Sequence, residues 1–175
     1  MARAYIKVGL VLVLIAGIVS VAKDALVYRA AEWGYAPAQF HVGFMYEYGQ
    51  GMPQDDAQAA IWYRRAADQG DVDAQFASGV MYFTGQGGAR DIVLAYALFG
   101  LAAASGDEQA AYHRDRLFTQ MSEAQIAEGE ALMELYKSGH ALPNASQTGR
   151  LGSDGAGSGG AKAETEAKPL RNNPP

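Results

Sequence analysis

AQFHVGFMYEYGQG, residues 38–51, returns thirty-six residues later as AQFASGVMYFTGQG, residues 74–87, with nine of fourteen positions identical. Chance does not produce a match of that density at a fixed offset. A period of this size is the mark of stacked helical repeats, each a supersecondary unit that buries its apolar face only against its neighbours. The duplication therefore predicts an all-α fold, an α-solenoid of helix-turn-helix units. Solenoids present extended surfaces to partners more often than they enclose catalytic pockets.

Each copy reads as a helix, a glycine-rich loop and a second helix. The first helix covers residues 37–48, with Pro37 in the first turn, where its missing N–H costs nothing. Gly49 is placed to adopt the left-handed conformation that ends a helix. After the loop GQGMPQD, Asp55 is a candidate N-cap for the second helix, and Gln58 three residues on suits a capping box. Ala59, Trp62, Tyr63, Ala66 and Ala67 then recur at helical spacing and end at Gly70; the second copy repeats the stripe as Ala95, Leu98, Phe99, Ala102 and Ala103, ending at Gly106. Gly43 and Gly79 leave room for close helix approach beside these large rings. The second loop, with Gly88, Ala89 and Arg90 in place of Met52, Pro53 and Gln54, is expected to be the looser.

Outward from the two copies, the frame divides the chain into a half-repeat at 23–36, repeats at 37–70 and 71–106, and a terminal repeat at 107–140. In the last of these Ser122 and Gln125 form a capping box, and the final helix, about 123–138, buries Ile126, Leu132, Met133 and Tyr136. Residues 141–175 contain no aromatic and are dominated by small and turn-forming residues, so a disordered tail is expected. At the other end, Arg3 and Lys7 precede fifteen uncharged residues, 8–22. As a helix these span roughly 22 Å, short of a bilayer core. Two readings fit residues 1–22: a signal peptide cleaved before Lys23 at an imperfect small-residue site, or an uncleaved membrane anchor that begins near Ala4. Either exports the repeats, to the periplasm or to the outer side of the inner membrane.

The repeated positions resemble the Sel-one-like repeat (SLR) family, relatives of tetratricopeptide repeats. In the first copy they are Ala38, Gly43, Tyr46, Gly49, Gly51, Asp55, Ala59, Trp62, Tyr63, Ala66, Ala67 and Gly70. The second copy matches at Ala74, Gly79, Tyr82, Gly85, Gly87, Asp91, Ala95, Ala102, Ala103 and Gly106, with Leu98 and Phe99 departing from Trp-Tyr. The resemblance covers about residues 23–138. It implies a right-handed superhelix serving as a protein-interaction adaptor, and it implies no catalytic residue.

Composition agrees with a binding role. The chain has 175 residues, no cysteine and a net charge of -5, which removes thiol chemistry and disfavours general nucleic-acid binding. His41, His113 and His140 lack metal-ligand spacing and read as surface residues. Asp71 and Asp73 resemble the opening of a calcium loop whose glycine and closing glutamate are missing, so they read as a helix N-terminus. No nucleophile elbow or phosphate loop occurs. No catalytic residue, cofactor or metal is expected. The leading function is a non-catalytic scaffold of the cell envelope that binds a protein or peptide, with membrane contact through the N-terminal segment if that is retained. A small exported hydrolase with an unrecognised site and a structural or oligomerisation module are the alternatives. The candidate partner-binding face is His41, Phe44 and Tyr48 on the first helix of one repeat, with Ala77, Val80 and Thr84 at the equivalent positions of the next. These residues either floor a concave groove, or Phe44 and Tyr48 pack on a neighbouring helix.

Overall fold

The computed structural model describes residues 23–143, and these are helical throughout apart from short connections. Residues 23–32 form α1. It is followed by α2 (Ala36–Tyr48), α3 (Asp56–Ala67), α4 (Val72–Thr84), α5 (Ile92–Ala104), α6 (Glu108–Phe118) and α7 (Glu123–Lys137). The signal-or-anchor segment and the tail beyond residue 143 lie outside the described residues. Among the described residues no helix is long and apolar enough to cross a membrane.

Local chemistry sets the helix ends where the sequence places them. Gly49 (φ 66°) and Gly85 (φ 81°) end α2 and α4 in the left-handed region. Asp55 caps α3 by accepting from Gln58 N at 3.0 Å, and Asp91 caps α5 through Val93 and Leu94 N at 3.0 Å. The expected box at Gln58 is only half formed, because the Asp55 N–H already donates to Tyr46 O at 2.9 Å. The box at Ser122 and Gln125 is complete. Asp71 caps α4 by accepting from Ala74 N at 2.9 Å, so it is a helix N-terminus and not the start of a calcium loop.

Successive helices pack against one another from α2 to α6. The two repeat stripes meet them as expected, with Ala59, Trp62, Tyr63, Ala66 and Ala67 all buried. Glycine sets the closeness of the pairs. A Cβ on Gly43 would lie 2.6 Å from Tyr63 Cδ1, and one on Gly79 2.7 Å from Phe99 Cε1, so the rings rest on the bare helix backbone.

The last unit departs from simple stacking. Every residue of α5 from Val93 to Ala102 is buried, on all faces of the helix, while Ala103 at the end of the expected stripe is half-buried. The second face of α5 is covered by α7. There Gly129 admits the Tyr96 ring, 2.6 Å from where a Cβ would stand, and Leu132 is fully buried. An uncharged helix such as IVLAYALFGLAAA is stable in water only when enclosed on all sides. In the last turn of α7, Tyr136 Oη donates to Ala67 O at 2.9 Å, tying the last helix to the end of α3. The packed chain continues past the expected boundary at 140: Leu142 is buried, and Arg64 of α3 donates to the carbonyls of Leu142 and Pro143.

Candidate partner-binding groove

The thirty-six-residue period sets α2 and α4 on either side of a groove of about 280 Å³. Phe40, Phe44 and Tyr48 line it from α2, and Phe76, Ala77 and Val80 from α4. Tyr63 of α3 forms its floor. That ring is fixed from both sides: it lies against Gly43, and it packs on Phe40 with centroids 5.4 Å apart. Its hydroxyl donates to Glu47 Oε2 at 2.5 Å. Burial, reinforced by the Glu47 carboxylate, pushes the Tyr63 phenol pKa well above its ordinary value, so it remains a neutral donor. Glu47 and Asp73 place carboxylates among the lining residues, so the groove is aromatic with an acidic rim.

Four of the six residues singled out from sequence converge here: Phe44, Tyr48, Ala77 and Val80. Phe44 and Tyr48 stack with centroids 4.5 Å apart. Phe44 is half-buried and packs in the cluster of Ala77 and Met81, whereas Tyr48 is 59% exposed. Phe44 is therefore a packed side chain and Tyr48 an open one. The neighbouring Glu47 charge, followed by burial, raises the Tyr48 pKa. The other two residues lie outside the groove. His41 stacks on Phe44 at 6.4 Å but lines a separate shallow concavity with Leu26, Val27 and Tyr35. Thr84 folds its hydroxyl back onto Val80 O at 2.9 Å.

Phe40, Phe76, Tyr63, Glu47 and Asp73 were not among the sequence candidates. Phe40 and Phe76 are the same residue in both copies, and repetition made them look like scaffold. Their signal was helical spacing, four residues before Phe44 and Val80. Gln39 and Gln75 are repeated residues of another kind: each donates to a carbonyl eight residues earlier, Ala31 O at 3.1 Å and Ala67 O at 3.5 Å, and staples one unit to the next.

One expectation needs correction. His113 is not a surface histidine; it is half-buried and stacks on Phe99 with centroids 5.2 Å apart. In the second loop Arg90 Nε donates to Phe83 O at 2.8 Å while its guanidinium covers the Phe83 ring. Among the described residues no group of three or more histidine or acidic side chains is arranged to hold a metal ion.

The repeat geometry and the duplicated positions coincide with a known family model: the Sel1 repeat matches residues 36–71 and again 72–107. A Sel1 repeat protein from Oxalobacter formigenes is 39% identical over 51% of this chain and 68% of its own, with a TM-score of 0.51. The chain is a Sel1 repeat protein. A protective antigen present in uropathogenic Escherichia coli strains, displaying an SLR fold, is 30% identical, with a TM-score of 0.63. The alignment covers 81% of this Sel1 repeat chain but 30% of the antigen. No functionally curated protein matches the chain. Sel1 repeat proteins are in general non-catalytic scaffolds for protein–protein interaction.

Proposed function

We propose that this Sel1 repeat protein is an exported scaffold of the cell envelope that binds a protein segment in the groove between α2 and α4. The observation that carries the reading is the convergence of Phe44, Tyr48, Ala77 and Val80, residues surplus to the repeat pattern, on one open aromatic groove. Aromatic side chains that are rigid and partly exposed supply most binding energy per residue at protein interfaces. The acidic rim formed by Glu47 and Asp73 favours a segment that carries positive charge beside an apolar anchor. Export rests on the sequence of residues 1–22 alone.

The test uses the double change Phe44→Ala and Tyr48→Ser. Proteins crosslinked to the wild type in envelope fractions are compared with those crosslinked to the variant. A partner whose affinity for the variant falls at least tenfold, with fold stability lowered by less than about 2 kcal/mol as expected for one half-buried and one exposed ring, supports the groove. Undiminished binding eliminates it. Intact-mass measurement of the protein from its host tests export separately: loss of residues 1–22 shows a cleaved signal, and full mass in a membrane fraction shows an anchor. Full mass in the soluble cytoplasm overturns export.

A further inference from the structure

A second cavity lies on the other side of α4. Ala60, Ile61 and Arg64 of α3 face Ser78 and Tyr82 of α4 across a space of about 440 Å³, and Gly88 of the second loop also lines it. Clefts of this size suit small molecules. Two buried polar side chains interrupt the largely apolar walls. Arg64 has no charge to spare for a ligand: it holds Asp68 Oδ1 at 2.8 Å and Tyr82 Oη at 3.3 Å, and its remaining donors reach the carbonyls of Leu142 and, at 3.2 Å, Pro143. Ser78 is the opposite case. It is 1% exposed, and its Oγ has no hydrogen-bond partner among the described residues. A serine within a helix either meets water or folds its hydroxyl back onto the carbonyl four residues earlier, as Thr84 of the same helix does to Val80 O at 2.9 Å. Ser78 does neither. Buried hydroxyls are rarely left so, because desolvation without a compensating bond is costly.

The repeat shows that the cavity is not imposed by the fold. One period earlier, Ser78, Gly88 and Ala89 correspond to Val42, Met52 and Pro53, and Arg64 to Tyr28. Val42 is fully buried and packs in one cluster with Tyr28 and Trp62, whose rings meet edge-on with centroids 5.6 Å apart. Apolar side chains therefore close the corresponding place in the first unit. In the second, three wall positions carry smaller side chains, and one of them exchanges an apolar group for the unpaired hydroxyl.

We propose that the cavity between α3 and α4 binds a neutral, mainly apolar small molecule whose single hydrogen-bonding head, a phenol or alcohol, pairs with Ser78 Oγ. The walls bury the body of such a ligand, and one placed polar group sets its orientation. A charged ligand would be buried there without a partner, since Arg64 is already occupied. This site is independent of the groove between α2 and α4.

The test compares p-cresol with toluene, the same methylated ring with and without a hydroxyl, in titrations of the isotope-enriched full chain. Both should shift the amide signals of Ala57, Ala60, Gly87 and Gly88 saturably, with p-cresol at least about fivefold tighter, the difference expected for one hydrogen bond. Nuclear Overhauser contacts from the p-cresol ring to the methyl groups of Ala57, Ala60 and Ile61 should place it in the cavity. Ser78→Ala keeps a good helix former at this position and should lower p-cresol to the toluene affinity without weakening toluene. Equal affinities in the wild type overturn the hydrogen-bonding head, and a preference that survives Ser78→Ala overturns the role of Ser78. Contacts to other parts of the surface overturn the site, as does the absence of saturable binding, which would leave the cavity to water. The comparison of the two probes in the wild type decides the matter even if the variant fails to fold.

Discussion

Replacing Gly79 with alanine measures how rigidly the second repeat is closed. On an open helix surface this change would stabilise, because alanine is a better helix former than glycine by about 1 kcal/mol. Here the new Cβ would stand 2.7 Å from Phe99 Cε1 and 2.8 Å from Cδ1, several tenths of an ångström inside van der Waals contact. Relief requires the Phe99 ring to move, and the ring is fully buried between Phe76, with centroids 5.7 Å apart, and His113, at 5.2 Å. Overpacking of a closed core costs about 1–3 kcal/mol and occasionally more. Set against the helix-propensity gain, the net effect should run from about zero to a loss of about 2 kcal/mol, a fall in Tm of up to about 10 °C for a domain of this size. Urea unfolding followed by far-ultraviolet circular dichroism reads the difference. Phe99→Leu, costly alone, should make Gly79→Ala neutral or better in its background, so the double-mutant cycle isolates the contact. If Gly79→Ala stabilises the wild type by about 1 kcal/mol, the ring is free to yield and the close-packing argument fails.

Trp62→Ala should cost about 3–5 kcal/mol in a chemical melt, the range for emptying a buried aromatic site, because Trp62 is only 4% exposed. Tyr46 is half-buried, so Tyr46→Ala should cost clearly less, about 1–3 kcal/mol; equal losses would contradict the burial pattern. Tyr136→Phe removes the donor to Ala67 O and should cost about 1 kcal/mol, with faster hydrogen exchange at the end of α3; no change would show that the Gln75 amide suffices. Glu128 tests pH dependence: burial, followed by the Asp91 charge, raises its pKa above the ordinary 4.5. The folded state then holds a proton that the unfolded chain has released, so stability falls as pH rises from 4.5 through the folded pKa. Glu128→Gln should therefore stabilise at pH 7 and show no gain near pH 3. A gain of equal size at both pH values would locate the effect outside ionisation.

The architecture was legible because its determinants are local and repeated. The period of thirty-six residues, the alanine and aromatic stripe of α3, the left-handed Gly49 and Gly85, and the caps Asp55 and Asp91 each depend on residues within a turn or two. Helix spacing and duplication report such features directly. Half of the groove was legible on the same ground, since Phe44, Tyr48, Ala77 and Val80 differ between copies on one helix face. Phe40 and Phe76 were hidden by their identity, because a residue repeated for packing and one repeated at a surface look alike in a single chain.

Other features were decided only by tertiary structure. Periodicity shows which face of a helix is apolar, but the uncharged α5 has no distinct apolar face, so nothing local announces that α7 folds back to cover it. Gly129 and Tyr96 meet there across more than thirty residues of chain. Arg64 reads in sequence as one of two arginines in the last turn of α3, a position that suits solvent and the helix dipole. Its neighbour Arg65 is exposed and lies over the Trp62 ring, while Arg64 turns inward to carbonyls 78 and 79 residues away. Adjacent residues of the same type take opposite roles because helical rotation points one at solvent and the other at the returning chain, and where that chain returns is set by long-range packing.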